Sequence, residues 1–136
     1  MKIGKFILAA LAYAVVATIM ATVYHEMLMK YYNGFNIYSG LDNVNIPVAA
    51  TGSLIEGAVL TYMVQRFAPA TGRISFGILM GVMLCLFASS YGVFQTAALE
   101  NVQGAGRGMF IPLEFIAMML YGVVGGAVVG LIYRKS

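Results

Sequence analysis

Two acidic side chains fall inside long apolar stretches of this sequence, where carboxyls are rare and usually have a task. Glu56 stands about ten residues into IPVAATGSLIEGAVLTYMVQRF, about 15 Å along a helix and close to the middle of a bilayer. Glu114 lies near the start of IPLEFIAMMLYGVVGGAVVGLIY, a run closed by Arg134 and Lys135. A bare acid at mid-bilayer depth costs about 3 kcal/mol even on the lenient insertion scale, so Glu56 must be protonated, paired or wet. Two kinds of chemistry then lie open. A carboxyl that releases and regains a proton, or holds a cation, can couple transport across the membrane. A neutral carboxyl bonded to Ser53, or to a tyrosine of another helix, simply joins helices.

The remaining polar candidates lie near the ends of apolar runs. His25 and Glu26 follow the first run, and Glu100 follows the third. Together they could face a metal ion. The chain has a single histidine and a single cysteine, however, and no Glu-x-x-His motif. Zinc sites use more nitrogen and sulfur than that, di-metal carboxylate bundles need two such motifs, and bis-histidine haem ligation cannot be built within one chain. No metal and no cofactor is therefore expected. His25 reads as an interfacial hydrogen-bonding or pH-sensitive residue. Cys85 excludes an intrachain disulfide and reads as packing. With no nucleophile–base pair in sight, no catalytic residue is assigned and an enzyme is disfavoured.

The elements that carry these groups follow from composition. Hydrophobic residues make up 61% of the 136 and charged residues 10%, against about 45–50% and about 25% in soluble domains. Four apolar runs stand out, at about 6–24, 46–67, 74–96 and 111–133. Each has about the 20 residues needed to span. Lys2 and Lys5 ahead of the first run have the look of a signal peptide, but the run continues to Tyr24 and is read as a helix. The expected fold is all-α, a single domain of four transmembrane helices over residues 1–136, built as two hairpins. An Asn-, Gly- and Tyr-rich loop ending in Pro47 separates the first pair of runs, a tight turn around Pro69 and Gly72 the middle pair, and a Gly-rich connection before Pro112 the last pair. Tyr31, Tyr32, Phe35 and Tyr38 would form an interfacial aromatic belt.

Lys2, Lys5, Arg66, Arg73, Arg134 and Lys135 fall on one side of such a bundle, and only Lys30 and Arg107 on the other. The positive-inside rule then puts both termini inside. The localisation expected is integral membrane, in the cytoplasmic (inner) membrane of a prokaryote. A shift of 68 residues lays Gly4-Lys5 on Gly72-Arg73 and Arg66 on Arg134, which is compatible with a parallel repeat. The basic residues flank apolar runs without forming a stripe, so nucleic acid is not an expected partner.

Every run also carries small residues at helical spacing. They are Ala10, Ala14, Ala17 and Ala21; Ala49, Gly52, Ser53 and Glu56; Gly77, Gly81, Cys85, Ala88 and Gly92; and Gly122, Gly126 and Gly130. In lipid such faces let helices gain dispersion contact at short range. Three functions are compatible with this pattern. The preferred one is a non-enzymatic membrane subunit or self-associating scaffold that uses its Gly- and Ala-rich faces, with lipids, further copies or a larger complex as partners. The second is a small proton- or ion-coupled transporter using Glu56 and Glu114. The third is a membrane enzyme or carrier for a lipophilic substrate.

Overall fold

The computed structural model describes residues 3–32, 46–98 and 105–134. They form α1 (Ile3–Tyr32), α2 (Ile46–Phe67), α3 (Arg73–Ala97) and α4 (Ala105–Tyr133), with no strand among the described residues. Each helix contains a stretch long and apolar enough to cross a membrane: Ile3–Tyr24, Ile46–Phe67, Arg73–Gln95 and Gly108–Tyr133. The chain is an all-α, four-helix integral membrane protein.

Helix boundaries follow local chemistry. Pro47 is the second residue of α2, where its missing N–H costs nothing. Between α2 and α3 the chain turns through Pro69 and Gly72. Gly72 has φ +84°, and its carbonyl accepts the amide of Phe76 at 2.9 Å to open α3. A side chain at Gly72 would be strained by that backbone conformation.

Two helices are longer than their apolar runs. Beyond Tyr24, α1 continues to Tyr32 through residues that tolerate a helix, and the first strong breaker is Asn33-Gly34. α4 begins at Ala105, ahead of the expected Ile111, and holds Pro112 about two turns in. A proline so near the N-terminus removes one bond, to the Gly108 carbonyl, and does not stop the helix. The expected bounds of α2 are unchanged, and α3 gains a residue at each end.

The helices alternate in direction. Lys5 Nζ of α1 donates to the Ile132 carbonyl at 3.4 Å, and Arg73 Nη1 of α3 donates to the Tyr133 carbonyl at 3.3 Å. The starts of α1 and α3 thus sit beside the end of α4. Two cations cover carbonyls that the last turn of α4 leaves without helical partners, and they oppose its dipole. The core contains Ala9, Tyr13 and Ala17 of α1, Leu60 and Val64 of α2, and Val129 and Tyr133 of α4. A second cluster, Val93, Ala97 and Phe110, closes the far end of the α3–α4 pair. Large apolar side chains such as Leu11, Ile55, Phe87 and Leu120 point outward, as expected where the solvent is hydrocarbon.

α3 and α4 pack backbone to backbone. Gly77 and Gly126 each face the other's carbonyl oxygen, and so do Gly81 and Gly122. A Cβ added at Gly130 would lie 2.6 Å from the Ile74 Cα. All five glycines are buried. Glycine weakens a helix by about 1 kcal/mol per residue. The close approach offsets this with dispersion and with Cα–H contacts to carbonyl oxygen.

Candidate functional site

The polar interior is organised by a residue that the composition does not single out, Tyr13. It is almost wholly buried, and its hydroxyl donates to Glu56 Oε2 of α2 at 3.1 Å. Cys85 of α3 lies near the same hydroxyl. The ring occupies space left by two glycines. A Cβ on Gly57 of α2 would stand 2.9 Å from its Cδ1, and a Cβ on Gly125 of α4 would run into its Cε2. One side chain therefore touches all four helices at mid-depth. Glu56 itself is only partly buried.

The second carboxyl repeats the arrangement at another level. Glu114 of α4 is buried, and Tyr24 of α1 donates its hydroxyl to Glu114 Oε1 at 3.3 Å. The Tyr24 ring meets the Tyr121 ring edge-on, with centroids 6.3 Å apart. Tyr13 and Tyr24 are eleven residues apart on α1, and Glu114 and Gly125 are eleven apart on α4. Eleven residues return to nearly the same helix face after about 16 Å. The antiparallel pairing of α1 with α4 matches Tyr24 to Glu114 and Tyr13 to Gly125. The equal spacing is present in the sequence as a sign of this register. Sequence reasoning allows Glu56 a tyrosine partner but singles out neither Tyr13 nor Tyr24, because it reads the tyrosines as interfacial aromatics.

The structure does not bring Glu56 and Glu114 together; they belong to separate ties about half a membrane apart. Glu26 is exposed on α1 beyond its membrane-spanning part. His25 lies on the same turn of α1, and its side chain falls outside the described residues, as does Glu100. The glycines divide into two sets. Gly77, Gly81, Gly122, Gly126 and Gly130 are consumed between α3 and α4, so this ridge is not left over for another molecule. Gly52 faces open space, where an added Cβ would meet nothing within 4 Å, and Gly92 does the same. Ala49 and Ala88 are also exposed, whereas Ala10, Ala14 and Ala17 are buried.

A groove of about 440 Å³ opens between α1 and α2, walled by Leu11, Ala14, Val15, Thr18, Ile19, Ala50, Thr51 and Leu54. Its character is apolar. The Thr51 hydroxyl is turned back onto the Pro47 carbonyl of its own helix at 2.8 Å. Among the described residues, the two tyrosine–carboxyl hydrogen bonds both join α1 to a neighbour. Comparison with protein families, curated proteins and solved structures returns no match to this chain.

Proposed function

We propose that this chain is a non-enzymatic membrane subunit or self-associating scaffold of a prokaryotic cytoplasmic membrane, with both termini inside. The observation that carries the reading is the shared arrangement of the two intramembrane acids. Each carboxyl accepts a hydroxyl from a tyrosine of α1 at a helix–helix contact. In that role an acid fastens the bundle, and no turnover or ion passage is required of it. The partner surfaces are two small-residue patches left uncovered, Ala49 and Gly52 on α2 and Ala88 and Gly92 on α3. An outward glycine weakens its helix and repays this only when another backbone comes close.

The test is the mass and composition of the protein purified in mild detergent. The expected result is a defined assembly of more than one chain, weakened by Gly52→Leu and Gly92→Leu without a lower melting temperature. A stable monomer with no stoichiometric partner would end this reading. So would proton flux through liposomes holding the chain alone, if Glu56→Gln abolished it; the transporter reading would then replace it. The orientation rests on the basic residues and is tested separately. In a Cys85→Ala background, cysteines placed at Asn43 and at Ser136 should be labelled from opposite sides of the membrane.

A further inference from the structure

One recess has no part in the carboxyl ties. Where α2 turns into α3, Thr71, Gly72, Arg73 and Ser75 face Arg134 across a space of about 490 Å³. Two basic residues line it, Arg73 at the start of α3 and Arg134 just past the end of α4. Arg73 is anchored by its bond to the Tyr133 carbonyl, and its Nε is buried without a partner among the described residues. Arg134 is exposed. The recess also receives the N-terminus of α3, where the Phe76 amide is taken by the Gly72 carbonyl, the amides before it have no acceptor within the helix and the first turn holds no acidic residue. Ser75 and Thr71 add hydroxyls.

Depth narrows the choice of ligand. The spanning part of α3 begins at Arg73, and that of α4 ends at Tyr133. The recess therefore lies where hydrocarbon gives way to headgroups, at the level of phospholipid phosphates. Fixed arginine forks and helix-start amides both match the oxygens of a phosphate group. Basic pockets between helix ends are known sites for anionic headgroups. We propose that this recess binds a phosphate group, presented by an anionic phospholipid headgroup or as the free ion. The Arg73 side chain, held in place by α4, positions it, and Arg134 closes over it from the exposed side.

The experiment uses the full-length protein in detergent, with phosphatidylglycerol and inorganic phosphate as separate probes. Lipid binding is followed by native mass spectrometry and phosphate binding by the shift in melting temperature. Arg134→Gln changes an exposed residue and leaves the core alone. It should weaken binding by about fivefold or more, the worth of one basic residue beside an anionic headgroup. Arg66→Gln, on the last turn of α2 and outside the recess, should bind as the wild type does. Lipid that inorganic phosphate does not displace identifies a headgroup site. Phosphate that raises the melting temperature and displaces the lipid identifies a site for the free ion. The proposal is overturned if neither probe binds, if Arg134→Gln binds like wild type, or if Arg66→Gln loses as much as Arg134→Gln.

Discussion

The two hairpins solve the same packing problem in different ways. Between α3 and α4 side chains are removed, and glycine backbones meet carbonyl to Cα along the half of the pair that holds the start of α3 and the end of α4. Between α1 and α2, among the described glycines, Gly57 alone lets the backbones approach, and a Cβ there would stand 2.8 Å from the Ala10 carbonyl oxygen. Tyr13 adds a hydrogen bond to Glu56, and Ala9 and Ala17 of α1 share the core with Leu60 and Val64 of α2. The 68-residue shift sharpens the contrast. It lays Gly57 on Gly125, and both press against the Tyr13 ring. It lays Tyr13 itself on Gly81, which has no side chain and admits the backbone of α4. The centre of the bundle holds one large ring, and a tyrosine at both places would overfill it. Lipid supplies no hydrophobic drive between helices, so α3 and α4 are held by close backbone dispersion, while α1 and α2 add to their apolar contacts the hydrogen bond between Tyr13 and Glu56.

The contrast breaks most sharply at the glycines. Gly126→Leu would drive a side chain into the Gly77 carbonyl and the Ile78 backbone, neither of which can yield by rotating. The expected loss is about 3 kcal/mol or more, read as a collapse of the thermal melt in detergent. Gly57→Ala should cost less, about 1–3 kcal/mol, because part of what it meets is the tyrosine ring. Gly52→Ala has open space around it and should be neutral, or stabilising by up to about 1 kcal/mol. Equal effects at Gly126 and Gly52 would mean that close packing does not hold α3 to α4.

The next effect in size belongs to the hydroxyls. Tyr13→Phe keeps the ring between Gly57 and Gly125 and removes only the bond to Glu56. Hydrogen bonds between membrane helices average about 0.6 kcal/mol and reach about 1.7 kcal/mol. A loss of about 1 kcal/mol is expected, and about the same for Tyr24→Phe at Glu114. A double-mutant cycle between Tyr13→Phe and Glu56→Leu should show coupling, because leucine removes the acceptor, and one between Tyr13→Phe and Glu114→Leu should show none, since the ties are separate. Coupling in both cycles would merge the two ties into one network.

Much of this is legible in the sequence. Composition and four runs of spanning length specify an all-α membrane bundle, because hydrocarbon leaves the backbone few other ways to satisfy itself. Glu56 and Glu114 stand out for the same reason. The stripes that hold Gly77 and Gly81, and Gly122, Gly126 and Gly130, are legible as packing faces, but which glycines of α2 face a neighbour is not. Gly52 and Gly57 look alike in sequence, and only the crossing of α1 over α2 buries one and exposes the other. The partners of the acids are hidden too: Tyr24 at the end of its run also suits the interface, and nothing in the sequence pairs Tyr13, in mid-run, with one acid over the other. The basic residues are legible as a count. That Lys5 and Arg73 both cover the end of α4 depends on helix order and register.

The smallest expected effect is the most informative about Glu56. Its carboxyl accepts from Tyr13, and a carboxamide has the same shape and the same accepting oxygen. Glu56→Gln therefore keeps the tie and should shift stability by less than about 0.5 kcal/mol, within the range of a neutral substitution. Glu56→Leu has no acceptor and strands the buried tyrosine hydroxyl, at about 1–3 kcal/mol. The gap between the two variants measures the hydrogen bond without the charge. An acid that only fastens α2 to α1 predicts that the glutamine variant keeps its assembly and any activity of the complex. An acid that carries protons predicts a folded variant that has lost pH-dependent transport in liposomes. The carboxyl stretch in infrared difference spectra of wild type against Glu56→Gln supplies the missing premise. A protonated-carboxyl band lost in the variant fits the fastening role. A carboxylate band at neutral pH would mean an ionised group at mid-membrane, held by water or a cation, and the comparison between a packed hairpin and a hydrogen-bonded one would have to be redrawn around that charge.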